Sequence, residues 1–275
     1  MLLYRILLLL AVASFSVACV PKAQIPVPVL EYGQIEDSGN TDLLIFLRGI
    51  GGSHTDFERF GLIDQVRDRG LPIDIVVPNA HYGYYKSESV VDRIKEDIID
   101  PARRQGYQRF WLAGFSMGGL GSLFYIREHP EDIEAVMLVS PFMGWGTIRR
   151  EIDTAGGIRN WDADSSAIDN WQILIWTFIQ DYIAAPENYP PVYLGYGITD
   201  GVTKNGPSLL ADALLEQRVF SMPGGHNYTT FQALWSKHLD RMEAKFNAVP
   251  LATAVPIATA DNREPLSAQS EVKPE

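Results

Sequence analysis

Residues 109 to 122 read RFWLAGFSMGGLGS, and the run from Gly114 to Gly118 is a G-x-S-x-G pentapeptide. Its surroundings decide how it is read. Phe110-Trp111-Leu112-Ala113 is a short apolar run bounded by turn residues, as a buried strand should be. Leu120 to Glu128 has a helical pattern. A serine between a strand and a helix sits on a sharp turn, whose strained backbone pushes Oγ out of the sheet. Glycine is required two residues to either side, because a Cβ there would collide with the neighbouring strand and helix. The pentapeptide alone also suits a glycine-rich packing turn. In a strand–turn–helix setting it points to Ser116 as a nucleophile.

The same alternation of short apolar runs and helical patterns extends both ways from this point. Leu43 to Leu47 and Ile73 to Val77 precede the pentapeptide, and Ala135 to Val139 follows it. Later runs at Val192 to Tyr196 and Arg218 to Met222 supply two more strands. Between the second and third runs, Val90, Val91, Ile94 and Ile98 recur at helical spacing, with Asp92, Arg93, Lys95 and Glu96 on the opposite face. Such alternation predicts an α/β fold, a mostly parallel sheet with helices on both faces. One interval, 142–191, breaks the rhythm. It holds no evident strand but carries Trp145, Trp161, Trp171 and Trp176. Two readings stay open for it: a lid insertion above the C-terminal ends of the strands, or a crossover helix whose tryptophans pack on the core.

A serine hydroxyl is a poor nucleophile at neutral pH and needs a base, which in turn needs an orienting carboxylate. Of the five histidines, His226 follows a predicted strand in the turn Met222-Pro223-Gly224-Gly225-His226. A loop at that edge of the sheet can deliver an imidazole to Ser116, so His226 is the expected base. His54 and His81 also follow strands, His129 precedes Pro130 at a helix end, and His238 is expected to be solvated beside Lys237. The acid should follow a strand between Ser116 and His226. Asp200, in Gly197-Ile198-Thr199-Asp200-Gly201, does so, whereas Asp162, Asp164 and Asp169 lie in the interval without strands. An oxyanion needs two preorganised N–H donors. Met117, after the nucleophile, offers one. The glycine-rich loop Arg48-Gly49-Ile50-Gly51-Gly52 after the first apolar strand should offer the other.

At these residues the chain resembles the α/β-hydrolase superfamily, and within it serine esterases of the esterase D and carboxylesterase type. The order Ser116, Asp200, His226 is that of the superfamily, and Leu47 to Gly52 is similar to its oxyanion motif, with Arg48 where a histidine is usual. The resemblance implies that Ile50 supplies the second oxyanion N–H. It also implies hydrolysis of a small-molecule carboxylic ester through an acyl-enzyme, with neither metal nor organic cofactor. Acyl transfer to a cell-envelope acceptor would use the same residues, and a non-catalytic binding protein on this scaffold is a third reading.

The ends differ from the middle. Arg5 followed by the run 6–20, apolar except for Ser14 and Ser16, predicts a signal peptide over 1–18. Ser16-Val17-Ala18-Cys19 resembles the lipobox of bacterial lipoproteins, although Ser16 stands where leucine is preferred. The resemblance implies lipidation of Cys19 and a place in the cell envelope, with a lipid anchor instead of a spanning helix. The alternative is a plain cleavable signal. Pro21, Pro26 and Pro28 predict an extended tether over 19–30, leaving a hydrolase domain at 31–247. The Ala-, Pro- and Thr-rich composition of 248–275 predicts a disordered tail. The net charge is −11, and it argues against nucleic acid and against electrostatic attraction to anionic membranes.

Overall fold

The computed structural model describes residues 20–33, 35–163 and 170–248. The segment read as a signal peptide, Cys19, Asp164, Asp169 and the tail from 249 onward lie outside the described residues. In chain order the elements are β1 (Val29–Tyr32), α1 (Ile35–Ser38), β2 (Asp42–Leu47), α2 (Asp56–Arg59), α3 (Leu62–Arg67), β3 (Ile73–Pro78) and α4 (Tyr82–Lys86). Next come α5 (Val90–Ile94), a π-turn (Lys95–Ile99), α6 (Asp100–Gln105), β4 (Arg109–Phe115), α7 (Met117–Glu128) and β5 (Ile133–Val139). The remainder is α8 (Gly146–Thr154), α9 (Trp171–Ala184), β6 (Val192–Gly197), α10 (Gly206–Ala211), β7 (Val219–Met222) and α11 (Tyr228–Ala248).

The strands form one sheet in the order β1-β3-β2-β4-β5-β6-β7. All neighbours are parallel except β1, which pairs antiparallel with β3. Six of the strands coincide with the apolar runs of the sequence. The seventh, β1, begins at Val29, inside the segment expected to be a tether. Val27 is already buried, and its N–H donates to Asp97 Oδ2 at 2.8 Å. The prolines that suggested a tether are compatible with the entry to an edge strand, where a missing N–H costs no ladder bond. At the other end, Ala248 closes α11 instead of opening the tail.

Strand periodicity sorts the core into two layers. Leu43, Ile45 and Leu47 of β2 face one apolar cluster with residues of α5 to α10, whereas Leu44 and Phe46 face a second cluster beneath α2, α3 and α11. The central strands are buried on both faces, as a parallel sheet requires. At the N-terminal edge, buried Asp42 accepts two bonds from Arg109 (2.8 and 2.6 Å) and one from Trp111 Nε1 (2.8 Å), locking β2 to β4. All six parallel strands therefore end at the opposite edge in fixed register, and the loops that leave them there are neighbours.

Within 142–191 no strand occurs among the described residues. Helix α9 is the crossover from β5 to β6. Trp176 on it is fully buried and its indole donates to the Met143 carbonyl at 3.1 Å. Trp161 is buried as well, while Trp145 is exposed.

Candidate active site

The pentapeptide forms a strained turn between β4 and α7. Ser116 has φ 53° and ψ −115°, a conformation that L-residues adopt only when the surroundings impose it. The surroundings do impose it. The Ser116 N–H donates to the Val139 carbonyl (3.0 Å), and the Ser116 carbonyl accepts from the N–H groups of Phe142 (2.8 Å) and Gly119 (3.0 Å). The end of β5 thus clamps both sides of the peptide. The two glycines are sterically necessary. A methyl group on Gly114 would lie 2.6 Å from the Gly118 carbonyl oxygen and from Gly119 Cα, and one on Gly118 would run into the carbonyl of Leu47.

Three loops bring the sequence-expected residues together. His226, from the turn after β7, places Nε2 3.0 Å from Ser116 Oγ. Its Nδ1 lies 2.7 Å from Oδ2 of Asp200, in the loop after β6. The other Asp200 oxygen accepts the N–H groups of Val202 (2.9 Å) and Thr203 (3.1 Å). Burial pushes the Asp200 carboxyl up, but its bonds with His226 and Thr203 outweigh that and hold it down at about 2. Asp200 is therefore ionised at neutral pH. An ionised carboxylate can only accept, so Nδ1 carries a proton, and a neutral imidazole then presents the Nε2 lone pair to Oγ. The His226 ring is also held edge-on by Phe231, 5.0 Å away at 89°.

The glycine-rich loop after β2 lies against Ser116. A methyl group on Gly49 would come within 3.2 Å of Ser116 Cβ, closer than an ordinary van der Waals contact, so the loop and the Ser116 side chain are tightly apposed here. Ile50 follows with its side chain exposed. Met117 is the first residue of α7, where backbone N–H groups have no partner within the helix. Arg48, at the position where a histidine is usual, is buried. It donates to Asn79 Oδ1 (2.9 Å) and to the Gly52 carbonyl. Burial lowers its pKa, and nearby Asp56 opposes the shift.

Other candidates lie elsewhere. Asp162 is exposed. His54 and His81 flank Arg48, and for both burial and then that guanidinium lower the pKa. His238 is not solvated, contrary to expectation. It shares one face of α11 with Phe231, Leu234, Trp235, Leu239 and Met242, and its Nε2 donates to the Leu138 carbonyl at 3.0 Å. The adjacent lysine suggested a polar face, but the helical period carries position 238 inward.

Two supporting residues went unnoticed in the sequence. Asp56 accepts the Ser53 N–H at 2.7 Å, closing the start of α2. The S-x-x-D spacing was a legible signal for it. Arg149 of α8 is buried and bonds the Thr203 carbonyl at 2.6 Å, and nothing in its sequence context marks it.

A mostly parallel seven-stranded sheet with a strained serine at the β4–α7 turn defines an α/β-hydrolase. Residues 37–175 match the model of the family described as "Putative esterase", and the chain belongs to that family of hydrolases. Among solved structures, it is similar to S-formylglutathione hydrolase FrmB from Staphylococcus aureus, with 13% identity over 82% of this chain and 100% of that one and a TM-score of 0.53. Est1E from Butyrivibrio proteoclasticus is similar at 17% identity, 83% and 98% coverage and a TM-score of 0.53. So is MGS-MChE2, an α/β hydrolase from a lagoon-sediment metagenome in Morocco, at 20% identity, 82% and 98% coverage and a TM-score of 0.50. These likenesses establish the fold. No curated protein matches the chain.

Proposed function

We propose that the chain hydrolyses a carboxylic ester through an acyl-enzyme on Ser116. The observation that carries this reading is the unbroken line from Ser116 Oγ to His226 Nε2 (3.0 Å) and from His226 Nδ1 to Asp200 Oδ2 (2.7 Å). His226 takes the Ser116 proton as Oγ attacks the acyl carbon. The resulting imidazolium is stabilised by Asp200 and then protonates the leaving alkoxide. The N–H groups of Met117 and Ile50 receive the oxyanion. Water, deprotonated by His226, attacks the acyl-enzyme, and collapse of the second tetrahedral intermediate returns Ser116 to its hydroxyl form. A fluorophosphonate should label Ser116 in the wild-type protein and leave Ser116→Ala unlabelled. Labelling that persists in Ser116→Ala would refute the assignment.

Export and lipidation at Cys19 belong to the same proposal. Among the described residues no helix is long and apolar enough to cross a membrane. If the anchor is a lipid on Cys19, wild-type protein partitions with membranes and Cys19→Ser does not mature. Wild-type protein found wholly in the soluble fraction would refute this part.

A further inference from the structure

Eight large apolar side chains are exposed among the described residues, and five of them come from the segments that follow β2, β3, β5 and β6 at their C-terminal ends. They are Ile50, Tyr82, Trp145, Ile198 and Val202, exposed by between 39% and 62%. Because these strands are parallel, the five share one edge of the sheet. The strand order puts Tyr82 and Ile50 on one side of Ser116 and Trp145, Ile198 and Val202 on the other. Leu215, ahead of β7, lies toward the opposite edge. Singly exposed apolar residues are ordinary on a protein surface. Five on one edge of the sheet, on both sides of the strand that carries Ser116, are not.

The N-terminal segment arrives at this same edge. The Pro21 carbonyl packs on Gly83, the neighbour of Tyr82 in α4. Gln24 is tied to the Tyr84 hydroxyl by two bonds, 2.9 and 3.0 Å. The described chain therefore begins beside one arc of the apolar rim, next to the position proposed for the lipid anchor. We propose that the rim docks on a lipid surface, with the mouth of the Ser116 site turned toward it. The substrates would then be esters of amphiphiles that reside in a bilayer. This substrate class rests on the Ser116 reading above, whereas the docking does not. With a net charge of −11, attraction to anionic headgroups is not the driving force. Apolar insertion into a zwitterionic surface is, and it should be insensitive to salt.

Trp145 provides the test. Trp111, Trp161, Trp176 and Trp235 are buried and Trp171 is half-buried, so Trp145 is the exposed reporter on the rim. The full chain is mixed with phosphatidylcholine vesicles whose acyl chains are brominated near the headgroup. Lipid bromine should quench wild-type tryptophan fluorescence at low and high salt. Trp145→Phe should lose most of that quenching, and Ile198→Ser with Val202→Ser should weaken vesicle binding about tenfold, with Trp145 in place. Thermal unfolding of each variant verifies its fold. A protein tethered by its N-terminus but not docked would show no such quenching, because only proximity of Trp145 to the acyl chains produces it. Absent quenching, or equal quenching in wild type and Trp145→Phe, would overturn the docking. Absent quenching with a concentration-dependent mass that Trp145→Phe abolishes would instead assign the face to a second copy of the chain. Fluorophosphonate labelling on the same vesicles reads Ser116 separately. Labelling without quenching sinks the docking alone, and quenching without labelling sinks the esterase mechanism alone.

Discussion

Arg149 Nη1 donates to the carbonyl of Thr203 at 2.6 Å, and the N–H of that same Thr203 donates to Asp200. A side chain from the stretch without strands thus reaches the acid through one residue of its loop. Its other contacts are Asn205 Oδ1 at 3.1 Å and the Trp145 carbonyl at 3.4 Å. Burial lowers its pKa, as does neighbouring Arg150. Arg149 is a positioning residue on this geometry. Arg149→Met should lower kcat by about 10- to 100-fold with little change in KM, since loop displacement disturbs the chemistry more than ester binding. Arg149→Lys should recover part of the loss. Steady-state kinetics of both variants decide it, and an effect confined to KM would contradict the role.

Ser116 itself separates chemistry from strain. Ser116→Ala should lose on the order of 10⁴ to 10⁶ in kcat. It keeps a Cβ at φ 53°, so its unfolding temperature should stay near that of wild type. Ser116→Gly should unfold at a higher temperature than Ser116→Ala, because glycine tolerates this conformation. Calorimetry of the pair, with identical midpoints, would show that the turn stores no strain.

Asp200→Asn preserves size but favours the wrong His226 tautomer, at a cost of about 10⁴ in kcat. Asp162→Asn should cost far less, because Asp162 is exposed. The Asp200 carboxyl is held down at about 2, so acid inactivation above that pH should reflect a group other than Asp200. A pH–rate profile of the wild type, together with kinetics of the two variants, tests both statements.

Gly118→Ala would drive a methyl group into the Leu47 carbonyl, where backbone cannot yield cheaply. A loss of about 1–3 kcal/mol is expected in denaturant unfolding, with activity reduced as well because the same displacement moves the loop proposed to receive the oxyanion.

His238 sets a pH dependence of stability. Burial drives its pKa from 6.5 down to about 3, against the opposing bond to Leu138, and Arg241 lowers it further. The folded state refuses a proton that the unfolded chain accepts. The contribution is fully present above pH 6.5, declines as pH falls below it, and is lost by about pH 3. The slope approaches about 1.4 kcal/mol per pH unit in that window. His238→Gln keeps a donor for Leu138 and cannot titrate. Its melting temperature should vary less between pH 6.5 and 4 than that of the wild type.

The sheet and the three residues of the hydrogen-bonded line were legible because each carries a local signature. Continuous apolar runs mark the strands, and the glycine turns at 114–118 and 224–225 mark where the backbone must bend sharply. What was missed depends on distant neighbours. Arg149 matters because Thr203 stands opposite it, and no spacing rule links residues 54 positions apart. His238 departs from the expectation for the opposite reason: the adjacent Lys237 marks a polar neighbour, but the 3.6-residue period carries position 238 into the core. Strand β1 was hidden by prolines that suit an edge and a tether equally.

The proposed nucleophile Ser116 and its base His226 are separated by 110 positions of sequence, and the proposed acid Asp200 lies between them. Each comes from a later strand: Ser116 after β4, Asp200 after β6, His226 after β7. During synthesis the hydroxyl is made long before anything can deprotonate it. Until the final strand docks on the sheet, Ser116 is an ordinary alcohol. On the proposed mechanism the growing chain is thus chemically silent toward any ester it meets, and reactivity switches on only when the last piece of the sheet is in place.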